Sequence, residues 1–573
     1  MQVPVLAPRS ASAASLRQAF PIFVLFAAVS FLSSPIPGVN EPHYLTKARA
    51  FAEPDWCARD FFLSSGNAHY CFFWIVGLLT RVLSFPQIAV LGRLVSSGLL
   101  AFGWSVLGRS LHLRTSPQIL SASVFASISL LGSFSGEWLL GGFESKVPAW
   151  GLGLAAVGYW MRSTNSGSAG PMAMAGILCG LASLLHPVVG GWLAICLCTV
   201  ISFSAVRSLF VSWFAFRQQV THLCVFAGLT LILALPGLVP AVRFVMDQSL
   251  PKSQQDLANY VQVFWRLRHH LDPAELSQAQ WGFAGIVSLW TMINLRMIHR
   301  AMKSLIGGQR QDLHELAAAV ADVTEIRRRI HRLSFVLGVA AAIALIGVAI
   351  GWHSIPAQKM PDWQWRAALL KFYPFRCFDG LLAITLGFLQ SVLLQLWFDS
   401  GAISPSAIAR MAKGKSVRIG LMVVTFAVPC LLSWRSREAA PAGYTRAQFQ
   451  EWKQACDWLR ENTPQDALIL TPRESFAFKW FAERAEYVCY KDCPQDAAGI
   501  LEWNRRLWLL HDWTEASSAD GLYGDDDLAE IRSLTDCDYL LTRTLGPFES
   551  KPVWRGQEWQ IVPLSNTDRD TRP

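Results

Sequence analysis

Several ionisable side chains stand together just after the first apolar stretch of the chain. The segment Glu41-Pro42-His43-Tyr44 supplies a carboxylate, an imidazole and a phenol, and Asp60 follows it. Solvation is poor where a hydrophobic helix leaves a bilayer, so the pKa values of groups held there move easily. A carboxylate in such a place can take a proton from an attacking group. Glu41, His43 and Asp60 are therefore predicted to be catalytic; the alternative is a polar connector that caps a helix end.

Further polar side chains beside later apolar runs are candidates for binding substrate or phosphate. They are Lys146, Glu144, His186, Arg376, Asp379 and Arg268. A charge at bilayer depth costs about 2.5 to 3.5 kcal/mol, so Arg376 and Asp379 should be paired or should line a wet cavity. Their spacing of three residues also allows simple mutual pairing on a helix. The alternative for His186 is a hydrogen-bonded core histidine, and for Glu144 and Lys146 a charge pair at a helix end.

The composition excludes an ordinary soluble enzyme. Of 573 residues, 52% are hydrophobic and 16% are charged, and the chain holds 24 Trp and 34 Phe. Soluble domains carry about 25% charged residues, so this chain has too few charges to cover a water-exposed surface. Apolar runs recur from residue 19 to residue 434. The sequence predicts an α-helical polytopic membrane protein with about 11 to 13 spans.

The net charge of +9 is distributed unevenly along the chain. Residues 435–573 hold 17 Lys and Arg against 24 Asp and Glu, whereas the preceding part holds 33 against 17. Basic loops are expected on the cytoplasmic side of a membrane protein, so the excess is not a nucleic-acid signature. Membrane lipid is an expected partner, and nucleic acid is not.

Two basic clusters, in residues 296–332 and 410–418, set the predicted orientation. Both are assigned to the cytoplasm because Lys and Arg concentrate in cytoplasmic loops. Arg9 and Arg17, which precede the first apolar run, put the N-terminus, residues 1–18, in the cytoplasm and the acidic first loop, residues 37–70, outside. Counting spans from the two basic clusters puts the tail, residues 435–573, outside. Residues 19–434 form the membrane domain between them.

The counting leaves one crossing too many between His69 and Pro117. Either the apolar run from Cys71 to Leu83 does not fully cross, or the basic segment from Arg109 to Arg114 is exterior.

A second feature belongs to the long cytoplasmic loop. Residues 307–332 carry apolar side chains at helical spacing with charges between them, which predicts an amphipathic helix on the membrane face.

The tail is predicted to be a separate small α/β domain. Helical periodicity alternates there with short apolar runs typical of strands. Helices are predicted at 444–462, 475–482, 498–511 and 525–534, and strands at 467–470, 487–490, 538–542 and 559–563. The expected core residues are Trp452, Trp458, Leu468, Leu470, Phe481 and Trp503. No Gly-rich phosphate loop, G-x-S-x-G or H-E-x-x-H motif occurs in it, so a scaffold or recognition role is expected. Cys489 and Cys493 could form a disulfide in an oxidising compartment.

An exterior acid, cations near the bilayer and a body of many spans suit one class of reaction. A lipid-linked sugar phosphate presents its anomeric carbon at the membrane surface. A carboxylate can take the proton of the acceptor while Arg and Lys stabilise the phosphate that leaves. A polyprenyl-phosphate-linked sugar is therefore the expected second partner.

The arrangement resembles the GT-C superfamily of polyprenyl-phosphate-sugar glycosyltransferases. The resemblance is carried by Glu41-Pro42-His43-Tyr44 in the first exterior loop, the membrane body and the exterior α/β tail. It implies an integral protein of the bacterial inner membrane that moves a sugar to an exterior acceptor, with a divalent metal ion as a candidate cofactor. GT-C members usually carry an acidic pair in this loop, whereas here Asn40 precedes Glu41.

The chain also resembles an uncharacterised family of bacterial multi-pass proteins whose conserved domain has no assigned function. Four segments carry this similarity: residues 142–146 (GFESK), 185–190 (LHPVVG), 375–379 (FRCFD) and 458–464 (WLRENTP). The resemblance covers nearly the whole chain and implies no activity.

Two other functions stand beside glycosyl transfer. The first is a transporter or flippase with His186, Arg376 and Asp379 lining a pathway; such proteins show repeated halves, and no repeat is visible in the hydropathy pattern. The second is a non-catalytic membrane scaffold, which has no need to gather ionisable groups on one side of the bilayer. Glycosyl transfer is therefore the first expectation.

Overall fold

The computed structural model describes residues 13–38, 40–166, 169–246, 249–308, 313–399, 415–437, 440–441 and 443–564. Most of the predicted cytoplasmic N-terminus lies outside these residues, as do Arg410 and Lys413 of the second basic cluster. The chain forms two compact units. The first unit contains Met1–Ser33, Leu91–Val239 and Arg266–Arg437, and the second contains Ser34–Val90, Pro240–Trp265 and Glu438–Pro573.

Helices dominate the chain before the tail. In chain order they are α1 (Ala13–Ser33), α2 (Glu41–Ala52), α3 (Phe61–Ser64), α4 (Tyr70–Thr80), α5 (Phe85–Ser110), α6 (Thr115–Leu131), α7 (Lys146–Ser166), α8 (Gly170–Leu185), α9 (Pro187–Leu209), α10 (Trp213–Val245), α11 (Lys252–Tyr260), α12 (Arg268–Leu271), α13 (Gln278–Gly308), α14 (Leu313–Gly351), α15 (Trp363–Leu370), α16 (Arg376–Asp399) and α17 (Lys415–Ser436). A π-helical turn, Val261–Arg266, joins α11 to α12, and a 3₁₀ turn, Ala357–Lys359, precedes α15.

Among the described residues, six helices are long and apolar enough to cross a membrane, namely α5, α9, α10, α13, α14 and α16. Shorter apolar helices accompany them, namely α1, α4, α6, α8 and α17. The prediction of a polytopic helical membrane protein with a small C-terminal α/β domain is confirmed.

The length of α4 bears on the crossing that the sequence left open. This helix has 11 residues, Tyr70–Thr80. At 1.5 Å per residue it is about 16 Å long, whereas the hydrocarbon core of a bilayer is about 30 Å thick. The helix is too short to cross alone, so the structure favours the first alternative, in which the run from Cys71 to Leu83 does not fully cross.

The predicted amphipathic helix and the apolar run after it are one element. Helix α14 continues without a break from Leu313 to Gly351. The periodic segment before residue 332 therefore leads directly into the candidate span Val323–Gly351 rather than ending ahead of it.

Close helix contact and buried aromatic rings hold the core of the first unit together. Trp104 is fully buried, stacks on Phe388 at a centroid distance of 4.5 Å, and donates from Nε1 to Ser121 Oγ at 2.7 Å. Where α5 meets α7, a Cβ on Gly103 would collide with the carbonyl oxygen of Gly151. Glycine is required there because it lets the two backbones approach closely.

The tail forms a five-stranded mixed sheet with helices around it. Its elements are α18 (Arg446–Asn462), β1 (Leu468–Leu470), α19 (Phe478–Ala482), β2 (Ala485–Glu486), α20 (Ala497–Ser517), α21 (Asp525–Thr535), β3 (Tyr539–Thr542), β4 (Trp554–Arg555) and β5 (Gln560–Pro563). The strand order is β2-β1-β3-β5-β4, with β1 parallel to β2 and β3, and β5 antiparallel to β3 and β4. Thr445 and Gln448 form a capping box that begins α18.

The predicted elements of the tail match the observed ones with two differences. The strand expected at 487–490 is found at Ala485–Glu486, and pairing extends beyond it by one bond, from Tyr487 N to Ile469 O at 3.0 Å. Strand β4 has only two residues and was not expected, because so short a segment has no readable alternation. Of the predicted core residues, Trp452, Leu468, Leu470 and Trp503 are buried, and Trp458 and Phe481 pack partly buried against them.

The second unit joins the segment after α1 to the tail. Arg59 donates to Asp538 Oδ2 at 2.7 Å and to Asp536 Oδ2 at 2.8 Å. The rings of Phe85 and Trp480 stack at 5.1 Å. These contacts join the segment between α2 and α3, and the start of α5, to the α/β fold of the tail.

Candidate functional site

A buried cluster of charges lies at the start of α7 and α16 in the first unit. Glu137 Oε2 is 3.1 Å from Arg376 Nε and 3.7 Å from Lys146 Nζ, so two cations approach one oxygen. Lys146 also pairs with Glu144 Oε1 at 2.7 Å and lies over the Trp138 ring at 4.1 Å. We call Glu137, Glu144, Lys146 and Arg376 the phosphate-site cluster, because the sequence predicts that the last three of them bind substrate or phosphate.

Arg376 is the most accessible member of this cluster. Its side chain is 20% exposed, against 1% for Glu137 and 6% for Lys146. Its guanidinium lies 4.2 Å from the centre of the Tyr373 ring, and Nη1 is 3.4 Å from His186 Nε2. A ligand that reaches this cluster would therefore meet Arg376 first.

His186 caps the first turn of α9. Its Nδ1 accepts a hydrogen bond from Val189 N at 3.2 Å, and Pro187 begins the helix. Because Nδ1 accepts, a neutral ring carries its proton on Nε2, the nitrogen that faces Arg376. An N–H group and a guanidinium then lie side by side, an arrangement that suits a shared anionic acceptor.

Asp379 binds backbone N–H groups of the loop before α7. Its carboxylate accepts from the backbone N of Phe134 and of Ser135, each at 2.8 Å, and of Glu137 at 3.0 Å. These bonds fasten the loop before α7 to α16 and so place the Glu137 side chain beside Arg376. Asp379 is thus a positioning residue for the cluster.

Helix α12 carries a histidine, His270, that contacts the loop before α7, and an exposed arginine, Arg268. His270 Nδ1 donates to Ser135 O at 2.6 Å. Burial, together with the charges of His269, Arg376 and Lys146, lowers the pKa of His270 to about 3 despite its hydrogen bond to Ser135 O. Arg268 is 60% exposed and lies 3.8 Å from Glu275.

Glu41 lies at the start of α2 in the second unit and is fully buried. Its Oε2 accepts from Gly38 N at 2.5 Å, which fixes the turn that leads into the helix. A carboxylate in the first turn is also favoured by the helix dipole.

His43, one turn further along α2, is oriented by an acid of the tail. Its Nδ1 is 2.8 Å from Asp492 Oδ1, and its ring packs on Phe62 at 4.4 Å. Burial lowers the pKa of His43 despite the hydrogen bond that its ring donates to Asp492. The ring lines a small pocket together with Tyr44 and Lys47, and burial lowers the pKa of Lys47 to about 8.

Asp60 belongs to a buried ionic cluster centred on Lys479. Lys479 Nζ is 2.7 Å from Asp492, 2.8 Å from Glu486 and 3.4 Å from Asp60. Asp60 also caps α3 by accepting from Leu63 N at 2.8 Å. We call Asp60, Lys479, Glu486 and Asp492 the lysine-centred cluster.

In this cluster Lys479 and Asp492 stabilise each other's charged forms. Burial alone would raise the pKa of Asp492, but Lys479 and His43 outweigh it and hold that pKa well below its usual value. Burial alone would lower the pKa of Lys479, but its three carboxylate neighbours hold it well above the ordinary value. Burial raises the pKa of Asp60 in spite of Lys479.

The donor set that comes nearest to a metal site lies in this cluster. Glu486, Cys489 and Asp492 each offer a ligand atom within 4.8 Å of the others. Lys479 Nζ already pairs with both carboxylates, and its ammonium would repel a divalent cation. These residues do not fit a resident metal ion.

The sequence analysis did not select Lys479, Glu486 or Asp492 as site residues. A signal for one of them exists, because Lys479 lies in the apolar segment Phe478-Lys479-Trp480-Phe481 and a lysine buried there needs acidic partners. All twelve cysteines are described, and none of them, including Cys489 and Cys493, forms a disulfide.

Comparisons with known proteins match one segment in sequence and most of the chain in structure. Residues 450–510, which contain Lys479, Glu486 and Asp492, match the family model "Domain of unknown function (DUF6798)". No curated protein matches the chain.

Two kinds of solved structure are similar to the chain. An oligosaccharyltransferase of Archaeoglobus fulgidus, solved with zinc and sulfate, is 12% identical with a TM-score of 0.44, over 91% of this chain and 67% of that one. ArnT from Cupriavidus metallidurans was solved bound to undecaprenyl phosphate, at 11% identity and a TM-score of 0.37, and in the apo state, at 12% and 0.39. Each ArnT match covers 97% of this chain and 99% of that one. The family-model match agrees with the resemblance to an uncharacterised family inferred from the sequence, and the structural matches assign no residue a role.

Proposed function

We propose that the protein is a membrane-embedded glycosyltransferase that moves a sugar from a polyprenyl-phosphate carrier to an acceptor outside the cytoplasm. The observation that carries this proposal is the convergence of Arg376 and Lys146 on one buried oxygen, Glu137 Oε2. A position that two cations share in a poorly solvated place suits an oxygen of a phosphate group. The candidate spans around it suit the lipid chain that carries such a phosphate.

The reaction needs a base for the acceptor and cations for the leaving group. The acceptor oxygen forms a bond to the anomeric carbon as the bond from that carbon to the phosphate oxygen breaks. The bonding electron pair leaves with the phosphate, where Arg376 and Lys146 stabilise the negative charge that develops. The acceptor proton passes to a general base of the protein, a role for which Glu41 and His43 are the candidates from the sequence.

The lipid pool of the host cell tests this function. Deletion of the gene should leave one polyprenyl-phosphate-linked sugar unconsumed, and mass spectrometry of lipid extracts should show that it accumulates. Expression of the wild-type chain should remove the excess. If the deletion leaves every lipid-linked sugar and every surface glycan unchanged, the proposal fails.

We also propose that the tail and the first loop face the exterior. A reporter enzyme that folds only outside the cytoplasm, fused after Trp434 at the end of α17, should be active in intact cells. The same reporter fused after Lys303, in the first basic cluster, should be inactive and serves as the control. Activity only of a cytoplasmic reporter after Trp434 would reverse the proposed orientation.

Glu41 can be tested without disturbing the turn that it stabilises. Glu41→Gln keeps an oxygen that can accept from Gly38 N and removes the charge. We expect transfer to fall about 10²-fold, the lower end of what a general base supplies, with unchanged abundance of the protein. Asp55→Asn, a nearby exposed acid, is the control and should transfer normally. Normal transfer by Glu41→Gln would leave this carboxylate a purely structural role.

A further inference from the structure

The net charge of the phosphate-site cluster determines whether it attracts an anion. The formal charges of its two carboxylates and two cations cancel. An added phosphate would meet Glu137 and Glu144 as well as Lys146 and Arg376, so the cluster as it stands has no net attraction for it. Binding of a phosphate here requires that one carboxylate leave the cations.

Glu137 is better suited to leave than Glu144. Its contacts with the cations, 3.1 and 3.7 Å, are longer than the 2.7 Å between Glu144 and Lys146. It also binds Arg376, the cation that a ligand would meet first, whereas Glu144 pairs with Lys146. The other Glu137 oxygen is held by Trp150 Nε1 at 2.7 Å, and this bond fixes the carboxylate between the cations.

We propose that Glu137 holds the place of the ligand in the free protein, and that the phosphate of a lipid carrier displaces its Oε2 from Arg376 and Lys146. This inference rests on the proposed function, since it takes the carrier phosphate as the ligand. Glu137 is a specificity-determining residue in this scheme. It keeps weaker anions off the two cations, because an anion must replace a carboxylate to bind there.

The test measures binding by the purified full-length protein in a non-ionic detergent. The probe is farnesyl phosphate, with farnesol and inorganic phosphate as separate arms, and binding is followed by the fluorescence of the protein's tryptophans. Glu137→Gln should bind farnesyl phosphate about tenfold more tightly than the wild type, because the cations lose a competing charge. Glu515→Gln, an exposed acid of the tail, removes the same charge elsewhere and should bind as the wild type does.

The arms separate failure of the inference from failure of the function. If the wild type binds farnesyl phosphate, Arg376→Gln does not, and Glu137→Gln binds equally or more weakly, then Glu137 only positions Arg376 and the inference is wrong while the function stands. If neither the wild type nor Glu137→Gln binds, both are wrong. Equal binding of inorganic phosphate and farnesyl phosphate would identify free phosphate as the ligand. It would overturn the proposal that the phosphate is carried by a lipid.

A second variant protects the test against misfolding of Glu137→Gln. Trp150→Phe removes the Nε1 donor that holds the carboxylate and leaves its charge in place. The carboxylate can then move away more easily, so this variant should also bind farnesyl phosphate more tightly than the wild type. Weaker binding would contradict the proposal.

Discussion

Replacement of Arg376 by Gln should lower sugar transfer by 10² to 10³-fold, while the abundance of the protein in the membrane stays normal. Removal of one group that stabilises developing negative charge typically costs this factor, and Arg376 is the accessible cation of the phosphate-site cluster. The loss should appear mainly in kcat, because the negative charge on the departing phosphate develops during the reaction. Initial rates with a polyprenyl-phosphate sugar in isolated membranes measure it.

Two controls make the Arg376 result specific. Arg300→Gln changes an exposed arginine on α13 and should leave the rate unchanged. Arg376→Lys keeps the charge but loses the planar group that spans Glu137 and Tyr373, so it should recover only part of the rate. Transfer at the wild-type rate by Arg376→Gln would contradict the assignment of this cluster to the phosphate.

Replacement of Lys479 by Met should destabilise the second unit by about 3 to 5 kcal/mol. Removal of one partner from a buried ion pair leaves uncompensated charge, and here three carboxylates share one ammonium. Proteolysis of the full-length protein after pulses of increasing urea measures the change, since cleavage in the tail reports its unfolding.

The controls for Lys479 separate its charge from its size. Lys551→Met alters an exposed lysine of the tail and should unfold at the urea concentration of the wild type. Lys479→Arg keeps the positive charge and should lose less stability than Lys479→Met. An unchanged midpoint for Lys479→Met would mean that Asp60, Glu486 and Asp492 do not depend on this ammonium.

Composition and periodicity were sufficient to predict the fold class and most of the tail. The 52% hydrophobic content and the basic loops predict a polytopic membrane protein, and the apolar periodicity through Trp452 and Leu459 predicts α18. These features are local, so a window of a few turns contains them. The division into two units is not local, because Ser34–Val90 joins a tail that begins some 350 residues later in the chain.

The partners of individual charges were harder to predict for the same reason. Arg376 and Asp379, three residues apart, were expected to pair with each other or to line a wet cavity. In the structure Arg376 pairs with Glu137, and Asp379 binds the backbone of the loop that carries Glu137. Sequence spacing shows which groups can meet on one helix, but not which loop folds against it.

The most direct test of the account is a transfer assay with purified protein in proteoliposomes. The vesicles contain a polyprenyl phosphate whose sugar is radiolabelled, and an acceptor extract from the host is added outside. The account predicts that label leaves the lipid for the acceptor and that free polyprenyl phosphate appears in equal amount, with the wild type and not with Arg376→Gln. Movement of the intact lipid-linked sugar from one leaflet to the other, with no release of polyprenyl phosphate, would contradict the account and identify a flippase instead.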